Sequence, residues 1–309
     1  MTGQAFKTFP EFSKLTLADK SAYEALIKDY PPIADITFAS LMTWWNQLDG
    51  GPSVSMLNGN LVIAYWLPGD EKHAGFSLIG TEHIDESICT IFDYLREKGD
   101  QVRLVNVPEL VVGNIHFPDL FTPIEERNYH EYIVPVSKYY PLKNILGHRR
   151  RKIERQLRHI GEENIVIKSL DLRSTDNKQL LLQTGYTWWQ KNINNFGKVE
   201  KEAMTKAIVH ADKLGFENAC LFINDELRGF CLYQLPRDKR YAIIAHVKAT
   251  HRALLDFDLI TYEFAKWFAD RGITYVNLNS DEGLLPLRMF MLTLGPSNFF
   301  RKYKIEPAP

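Results

Sequence analysis

Residues 241–303 have the sequence YAIIAHVKATHRALLDFDLITYEFAKWFADRGITYVNLNSDEGLLPLRMFMLTLGPSNFFRKY, and this stretch decides the fold. Its apolar spacing predicts a strand over 241–248, a helix over 254–271 and a second strand over 274–278. An acidic turn, a short helix and a closing aromatic and basic strand follow. Strand ends and helix N-termini direct unpaired backbone groups to one place, so α/β proteins often bind ligands there. We therefore expect any functional site in this stretch.

The rest of the chain shows a similar order of elements in two rounds. Periodicity predicts helices over 17–30, 38–48, 85–99, 149–159, 178–191 and 200–214, and strands over 61–67, 76–79, 102–107, 219–223 and 227–234. This order predicts an α/β protein with two tandem domains, each a mixed, mainly antiparallel sheet flanked by helices. Pro135 and Pro141 mark the junction, which gives domains of 1–137 and 138–309.

A short sequence similarity links the two halves. Residues 43–46 (TWWN) resemble residues 187–190 (TWWQ), and both lie on predicted helices before the strands. Either the chain arose by duplication, or two independent amphipathic helices use tryptophan to fill a core.

Composition excludes several classes of protein. The 309 residues include 37 basic and 38 acidic side chains, so no global charge favours nucleic acid or an acidic membrane. The longest apolar run, 61–67, is far shorter than the ~20 residues of a membrane helix, and the N-terminus has no signal-peptide pattern. We expect a cytoplasmic protein without a transmembrane segment. Cys89, Cys220 and Cys231 are widely spaced, which indicates neither a disulfide framework nor a metal site.

Several residues of the deciding stretch resemble a known signature. The order of Asn277, Asp281, Gly283, Leu287, Arg288, Pro296, Lys302 and Tyr303 is similar to the N-x-E-x-D-x-G...LR...K...P...KY pattern of the C-terminal catalytic domain of phosphatidylglycerol lysyltransferases. Residues 146–152 resemble that family's basic helix start, and residues 12–45 resemble its N-terminal segment. The element order is also that of the GNAT acyltransferase fold, and the distant Fem-type aminoacyltransferases belong to the same group.

The resemblance implies transfer of an aminoacyl unit from tRNA, or an acyl unit from coenzyme A, onto an amine or hydroxyl by direct attack. It implies no tightly bound cofactor. The partners would be a phosphate-bearing small molecule or tRNA, with a phospholipid headgroup as a further option. The alternative from another class is a non-catalytic protein that kept the fold and binds a phosphate-bearing ligand.

The chain departs from the family pattern in three places. Asn279 stands where the pattern has Glu, and Met291 stands where it has Lys. Residues 248–256 contain no glycine, whereas a backbone loop that cradles a phosphate usually needs one. The changes at Asn279 and Met291 either exchange an ion pair for neutral partners or alter the chemistry of the site. The absence of glycine in 248–256 argues against coenzyme A binding at this loop.

Two residues are candidate proton acceptors. Asp281 follows a strand in a loop, and His246 has an unperturbed pKa that suits neutral pH. The structural alternatives are a helix cap for Asp281 and a hydrogen-bonded core histidine for His246. We expect Asp281 and Arg288 to line one pocket with Lys248 or Arg252, and Asp281→Asn to abolish transfer without unfolding the protein.

The basic helix is the candidate phosphate site. Ile153, Leu157 and Ile160 form its buried stripe, and arginines occupy the flank, where they either bind phosphate or form a solvated face. Arg301, Lys302 and Lys304 are expected on an edge strand, where positive charge discourages aggregation. The candidate substrate- or phosphate-binding residues are Arg149, Arg150, Arg151, Lys152, Arg155, Lys248, Arg252, Asn277, Asn279, Arg288 and Tyr303.

Overall fold

The structure is a computed structural model that describes residues 6–45, 51–66, 74–192, 198–250 and 257–309. In the first half the helices are α1 (Lys20–Ile27), α2 (Phe38–Ser40), α3 (Ile84–Lys98) and α4 (Glu109–Val112), and a π-helical turn spans Leu41–Trp45. The strands are β1 (Ser13–Lys14), β2 (Ser53–Leu57), β3 (Asn60–Trp66), β4 (Ala74–Ile79), β5 (Leu104–Pro108), β6 (Phe121–Glu125) and β7 (Glu131–Pro135).

The second half has a matching set of elements. Its helices are α5 (Gly147–Ile160), α6 (Thr175–Asn192), α7 (Lys198–Val209), α8 (Ala211–Leu214), α9 (Phe257–Ala269) and α10 (Leu285–Thr293). Its strands are β8 (Ile165–Lys168), β9 (Glu217–Ile223), β10 (Glu226–Gln234), β11 (Tyr241–Ala249), β12 (Tyr275–Asn277), β13 (Asn298–Phe300) and β14 (Lys302–Pro307).

The described strands form two sheets of seven strands each. The first has the order β1-β2-β3-β4-β5-β14-β6, and the second, taken from its other edge, has the order β8-β9-β10-β11-β12-β7-β13. In both sheets an antiparallel meander leads to a fourth and a fifth strand that are parallel. One long helix, α3 or α9, connects that parallel pair. The predicted fold class, with a meander and a crossing helix in each half, is confirmed.

The sixth strand of each sheet comes from the other half of the chain. β14 lies between β5 and β6 in the first sheet, and β7 lies between β12 and β13 in the second. Each half therefore completes the sheet of the other. The predicted boundary at 137/138 falls just after β7, so the two sheets do not coincide with the two segments 1–137 and 138–309.

The described residues form three apolar cores in this arrangement. α3 covers the outer face of the first sheet, and α5 and α9 cover the outer face of the second. The third core joins the halves, because Tyr23 and Ile63 of the first half pack in one cluster with Leu181, Met204 and Phe230 of the second. Residues that face this shared core can therefore contact side chains from either half.

Candidate active site where two strands part

β11 and β12 separate in the second sheet. Their parallel pairing runs from Tyr241 opposite Tyr275 to Ile243 opposite Asn277, whereas β11 continues along β10 to Ala249. Beyond the last pair the chain turns at Asn279, which has a φ of 63° and whose Nδ2 donates to the Ile244 carbonyl at 2.7 Å. In the described structure, the edge of β11 that faces away from β10 over 245–249 has no partner strand. It offers backbone N–H and C=O groups to a ligand.

A β-bulge sets the direction of the side chains along this open edge. His246 lies opposite Leu232 but Ile244 lies opposite Tyr233, so Ala245 is an extra residue on β11. After the bulge, His246 and Lys248 are two positions apart and both meet Glu200 of α7. The bulge thus directs two ionisable side chains toward the shared core.

Glu200, His246 and Lys248 form what we call the β11 cluster. The Lys248 ammonium donates to Glu200 Oε1 and lies 4.0 Å from the ring centroid of Trp188, and its side chain is 7% exposed. Burial would raise the pKa of Glu200, but the Lys248 ammonium and His246 together lower it to about 2. The carboxylate is therefore ionised at neutral pH and is already engaged by Lys248.

His246 is buried and held without a good hydrogen bond. Its Nδ1 lies 3.4 Å from Glu200 Oε1, but the alignment is poor and neither ring nitrogen makes a hydrogen bond with the described residues. Burial lowers the pKa of the imidazole, Glu200 partly opposes this effect, and Lys248 adds to it. His246 is therefore a neutral imidazole at pH 7, with nitrogen lone-pair and N–H capacity left over.

Asp281 lies on the other side of the parting, in what we call the Asp281 cluster. Arg288 binds both carboxylate oxygens, with Nη2 at 2.7 Å from Oδ1 and Nε at 2.9 Å from Oδ2. The Tyr132 hydroxyl also donates to Oδ2, the Gly283 N–H donates to Oδ1 at 2.9 Å, and Arg127 Nη1 lies 3.4 Å from Oδ2. Burial acts to raise the pKa of Asp281, but Arg288, Tyr132 and Gly283 hold it below its usual value. An ionised carboxylate with these partners is a weak proton acceptor.

Two of the three departures from the family pattern, Asn279 and Met291, have structural roles; most of the third, 248–256, lies outside the described residues. Asn279 occupies a left-handed backbone conformation, which asparagine tolerates better than glutamate does, and its amide closes the end of the β11–β12 pairing. Met291 is buried on the inner face of α10. Neither side chain carries a charge, so neither adds one at the point where β11 and β12 separate.

A buried charge network connects the two exchanged strands. Lys302 begins β14 and Glu131 begins β7, and both are fully buried; Lys302 Nζ lies 2.7 Å from Glu131 Oε1 and 2.5 Å from Asp35 Oδ2. Glu131 Oε2 also accepts from Asn277 Nδ2 at 2.5 Å and from the Ala34 N–H at 2.7 Å. Burial acts to lower the pKa of Lys302, but Asp35 and Glu131 raise it above its usual value. We call this set the crossing network.

The crossing network corrects one expectation. Arg301, Lys302 and Lys304 were expected on an edge strand, but Lys302 and Lys304 lie on β14, which is an inner strand, and Arg301 precedes it. The Lys302 ammonium is buried between two carboxylates. The expectation was wrong because alternation along a strand does not reveal which sheet the strand joins. Tyr303 follows on β14, half-buried between Val107 and Glu125, and so lies in the first sheet.

The basic helix α5 divides into engaged and unengaged side chains. Arg149 donates to the Tyr139 hydroxyl and to the Thr293 carbonyl, both at 2.9 Å, and Asp258 lies 3.6 Å from Arg149 and from Lys152. Arg150 lies 3.6 Å from Glu154. Arg151, Arg155 and Arg158 are exposed and form no ion pair with the described residues. Ile153 is buried, with Leu157 and Ile160 beside it, as predicted.

The structure separates some predicted site residues and joins others. Asp281 and Arg288 are paired directly, whereas Lys248 contacts Glu200 and Trp188 in the β11 cluster. Arg252 lies in 251–256, outside the described residues. Asn277 belongs to the crossing network.

Sequence reasoning missed the acidic partners Glu200, Glu131 and Asp35. It also assigned no site role to Trp44 and Trp188, although the repeated TWW sequence drew attention to both.

The described ranges contain no group of three or more His, Cys, Asp or Glu side chains that could hold a metal ion. No helix within them is long and apolar enough to cross a bilayer.

The seven-strand order repeated in the two sheets, with a parallel fourth and fifth strand joined by one long helix, is a GNAT-like fold. The family model of the phosphatidylglycerol lysyltransferase C-terminal domain matches residues 35–286. The chain belongs to this family. Comparison with curated proteins gives no match.

Solved structures share the fold at low sequence identity. A conserved Bacteroides thetaiotaomicron protein of unknown function is 20% identical, with a TM-score of 0.79 over 96% of this chain and 99% of that chain. The C-terminal domain of a putative lysylphosphatidylglycerol synthetase from Agrobacterium fabrum is 13% identical, with a TM-score of 0.64 over 95% and 93%. L-PGS from Bacillus licheniformis is 14% identical, with a TM-score of 0.59 over 93% and 91%.

Proposed function

We propose that this protein transfers an activated acyl or aminoacyl group onto an amine or hydroxyl acceptor, at the parting of β11 and β12. The observation that carries the proposal is one strand, β11, that combines an open edge with a buried neutral imidazole. Membership of the phosphatidylglycerol lysyltransferase C-terminal family supports the same reaction class. Fold alone would not, since related folds carry many functions.

The proposed step is a direct attack on the donor carbonyl. The acceptor nitrogen or oxygen forms a bond to the carbonyl carbon, and the C–O bond of an aminoacyl ester or the C–S bond of a thioester breaks. His246 takes the acceptor's proton and returns it to the leaving oxygen or sulfur, which departs as the tRNA hydroxyl or the coenzyme A thiol. The free N–H groups of 245–249 donate to the developing oxyanion. His246 is preferred to Asp281 as proton acceptor, because the Asp281 oxygens are already bonded to Arg288, Tyr132 and Gly283.

The donor in this proposal is aminoacyl-tRNA or acyl-CoA, which both carry phosphate and an activated carbonyl. Arg151 and Arg155 would hold the phosphates, because their guanidinium groups are exposed and unengaged by described residues. A phospholipid headgroup remains a proposed acceptor, and no tightly bound cofactor is needed. A cytoplasmic location belongs to the proposal too, since both donors are cytoplasmic molecules.

Replacing His246 with glutamine should reduce donor consumption by about 10²-fold or more, since general base catalysis contributes roughly that factor. The assay follows loss of aminoacyl-tRNA or acyl-CoA in the presence of amine and hydroxyl acceptors. His116→Gln is the matched control, because His116 is a surface histidine 74% exposed in the first half, and it should retain full activity. Equal activity of wild type and His246→Gln would remove His246 from the mechanism.

The non-catalytic alternative makes a different prediction in the same assay. A binding protein would leave every donor intact, and the donor or phosphate-bearing ligand would only raise the melting temperature by mass action. That outcome would replace the transferase proposal with the binding one.

Replacing Arg151 and Arg155 together with glutamine should weaken binding of tRNA or coenzyme A and flatten its salt dependence. The melting temperature should stay nearly unchanged, because exposed charges contribute little to stability. Arg96→Gln with Arg240→Gln, two exposed arginines outside α5, is the control for loss of two positive charges. A lower melting temperature with intact affinity would mean that Arg151 and Arg155 are structural.

A further inference from the structure

We infer that Trp44, supplied by the first half, is a positioning residue for His246 of the second half. The inference rests on the proposed role of His246 and adds a partner that the sequence signature does not contain. It makes the candidate site a joint product of both halves.

The contact is a ring stack across the shared core. The Trp44 and His246 ring centroids lie 5.4 Å apart with an interplanar angle of 27°. His246 is 1% exposed, and the indole face covers one side of the buried imidazole. Stacked rings of this kind restrict the tilt of each other's planes.

Hydrogen bonds do not fix the imidazole, so packing must. Both ring nitrogens lack a hydrogen bond to the described residues, and Glu200 Oε1 is already used by the Lys248 ammonium. A metal-free catalytic histidine is commonly oriented by a strong hydrogen bond to a carboxylate. Here the stack with Trp44 takes over that task.

The backbone around Trp44 is built to serve both halves. Leu41–Trp45 forms a π-helical turn, a rare distortion that is frequent at functional sites. The next residue, Trp45, packs on Tyr65 of the first sheet at 4.6 Å between centroids, whereas Trp44 packs on β11. Consecutive tryptophans in one turn therefore contact different sheets.

The test is an NMR titration of the His246 ring in the free protein, with the signal assigned by its loss in His246→Gln. Among the described residues, Glu200 and Lys248 are the charged groups that face the ring, and both remain in every variant. In Trp44→Ala, water reaches the ring and the His246 pKa should rise by roughly one unit, because burial is the main cause that lowers it. Trp44→Phe keeps a stacking ring and should stay within a few tenths of a unit of wild type.

Trp45→Ala is the matched control, because it removes the neighbouring indole of the same turn and should leave the His246 titration unchanged. If Trp44→Ala does not fold, Trp44→Leu replaces it, since leucine fills space but cannot stack; loss of the ring-current shift of His246 is then the expected result. A titration that is the same in wild type, Trp44→Ala and Trp45→Ala would overturn the inference.

The transfer assay and the titration together distinguish a failure of the proposed function from a failure of the inference about Trp44. In the transfer assay, Trp44→Ala should lower kcat with little change in KM, and Trp44→Phe should restore it. If no variant transfers a group but the titration still responds to Trp44, the proposed function fails while the effect of Trp44 on His246 stands. If transfer occurs but responds equally to Trp44→Ala and Trp45→Ala, Trp44 has only a structural role.

Discussion

Replacing Lys302 with methionine should lower the free energy of unfolding by about 3–5 kcal/mol, the usual cost of removing one partner from a buried ion pair. Methionine keeps most of the stem but removes the ammonium that pairs with both Glu131 and Asp35. Glu131 would remain fully buried near the Asp35 carboxylate, and among the described groups the Asn277 amide and the Ala34 and Asp35 N–H groups would still donate to it. The measurement is urea unfolding of both proteins at neutral pH.

Lys304→Met is the control for Lys302→Met. Lys304 lies two positions further along β14 and pairs with Glu306 at the surface, so its loss should leave the urea midpoint nearly unchanged. The double variant Lys302→Met with Glu131→Gln should recover part of the lost stability, because the fully buried charge at position 131 is then gone and only the partly exposed Asp35 carboxylate has lost its ammonium partner. Equal effects of the Lys302 and Lys304 substitutions would show that the crossing network is not a stabilising feature.

Asp281→Asn should destabilise the protein by about 2–3 kcal/mol, the scale of lost hydrogen bonds to a buried charged group. An amide at this position would direct a donor at Arg288, Tyr132 or Gly283, which are themselves donors to the carboxylate. The sequence alone predicts loss of transfer without unfolding; the geometry adds a loss of stability, so activity must be measured well below the melting transition. Asp238→Asn, at an exposed bidentate pair with Arg240, should barely shift the urea midpoint.

The pH dependence of the stability difference between wild type and Asp281→Asn gives a second check on the state of the Asp281 carboxylate. The folded-state pKa of Asp281 is lowered, so its contribution to stability is present above the unfolded value of about 4 and is lost as the pH falls through the folded value. The stability gap between wild type and Asp281→Asn should therefore narrow below about pH 4. A gap that is constant across this range would contradict the ionised, multiply bonded carboxylate.

Local patterns predicted the elements and much of the fold. The helix around Ile153, Leu157 and Ile160 and the strands on either side of the Asn224–Asp225 turn follow from period and turn residues, which are properties of neighbouring residues. Such local patterns could not predict that β14 joins the first sheet and β7 the second. Nothing in the sequence around Lys302 or Glu131 states which sheet the strand will join, because register and partner are set by contacts more than a hundred residues apart.

The candidate site was likewise only partly predictable from local sequence patterns. The sequence singled out Asp281, Arg288 and His246 for different reasons. Asp281 follows a predicted strand, Arg288 stands in the family signature, and His246 has an unperturbed pKa that suits neutral pH. Their chemistry could not be predicted, because it depends on distant partners: Glu200 for Lys248, Tyr132 for Asp281 and Trp44 for His246. Charge and burial at one residue are decided by side chains from other elements, so sequence spacing can name candidate residues but cannot assign their roles.

Reciprocal strand exchange also sets an order of events during translation. After β6 has left the ribosome, the position between β5 and β6 in the first sheet stays empty until β14 emerges. More than half of the chain lies between β6 and β14 and must be synthesised first. At roughly 5–20 residues per second this delay is on the order of ten seconds or more. Two unpaired strand edges persist in the nascent chain for that time, and such edges invite wrong partners. A message truncated just before β14 would therefore damage the half of the protein that was synthesised first.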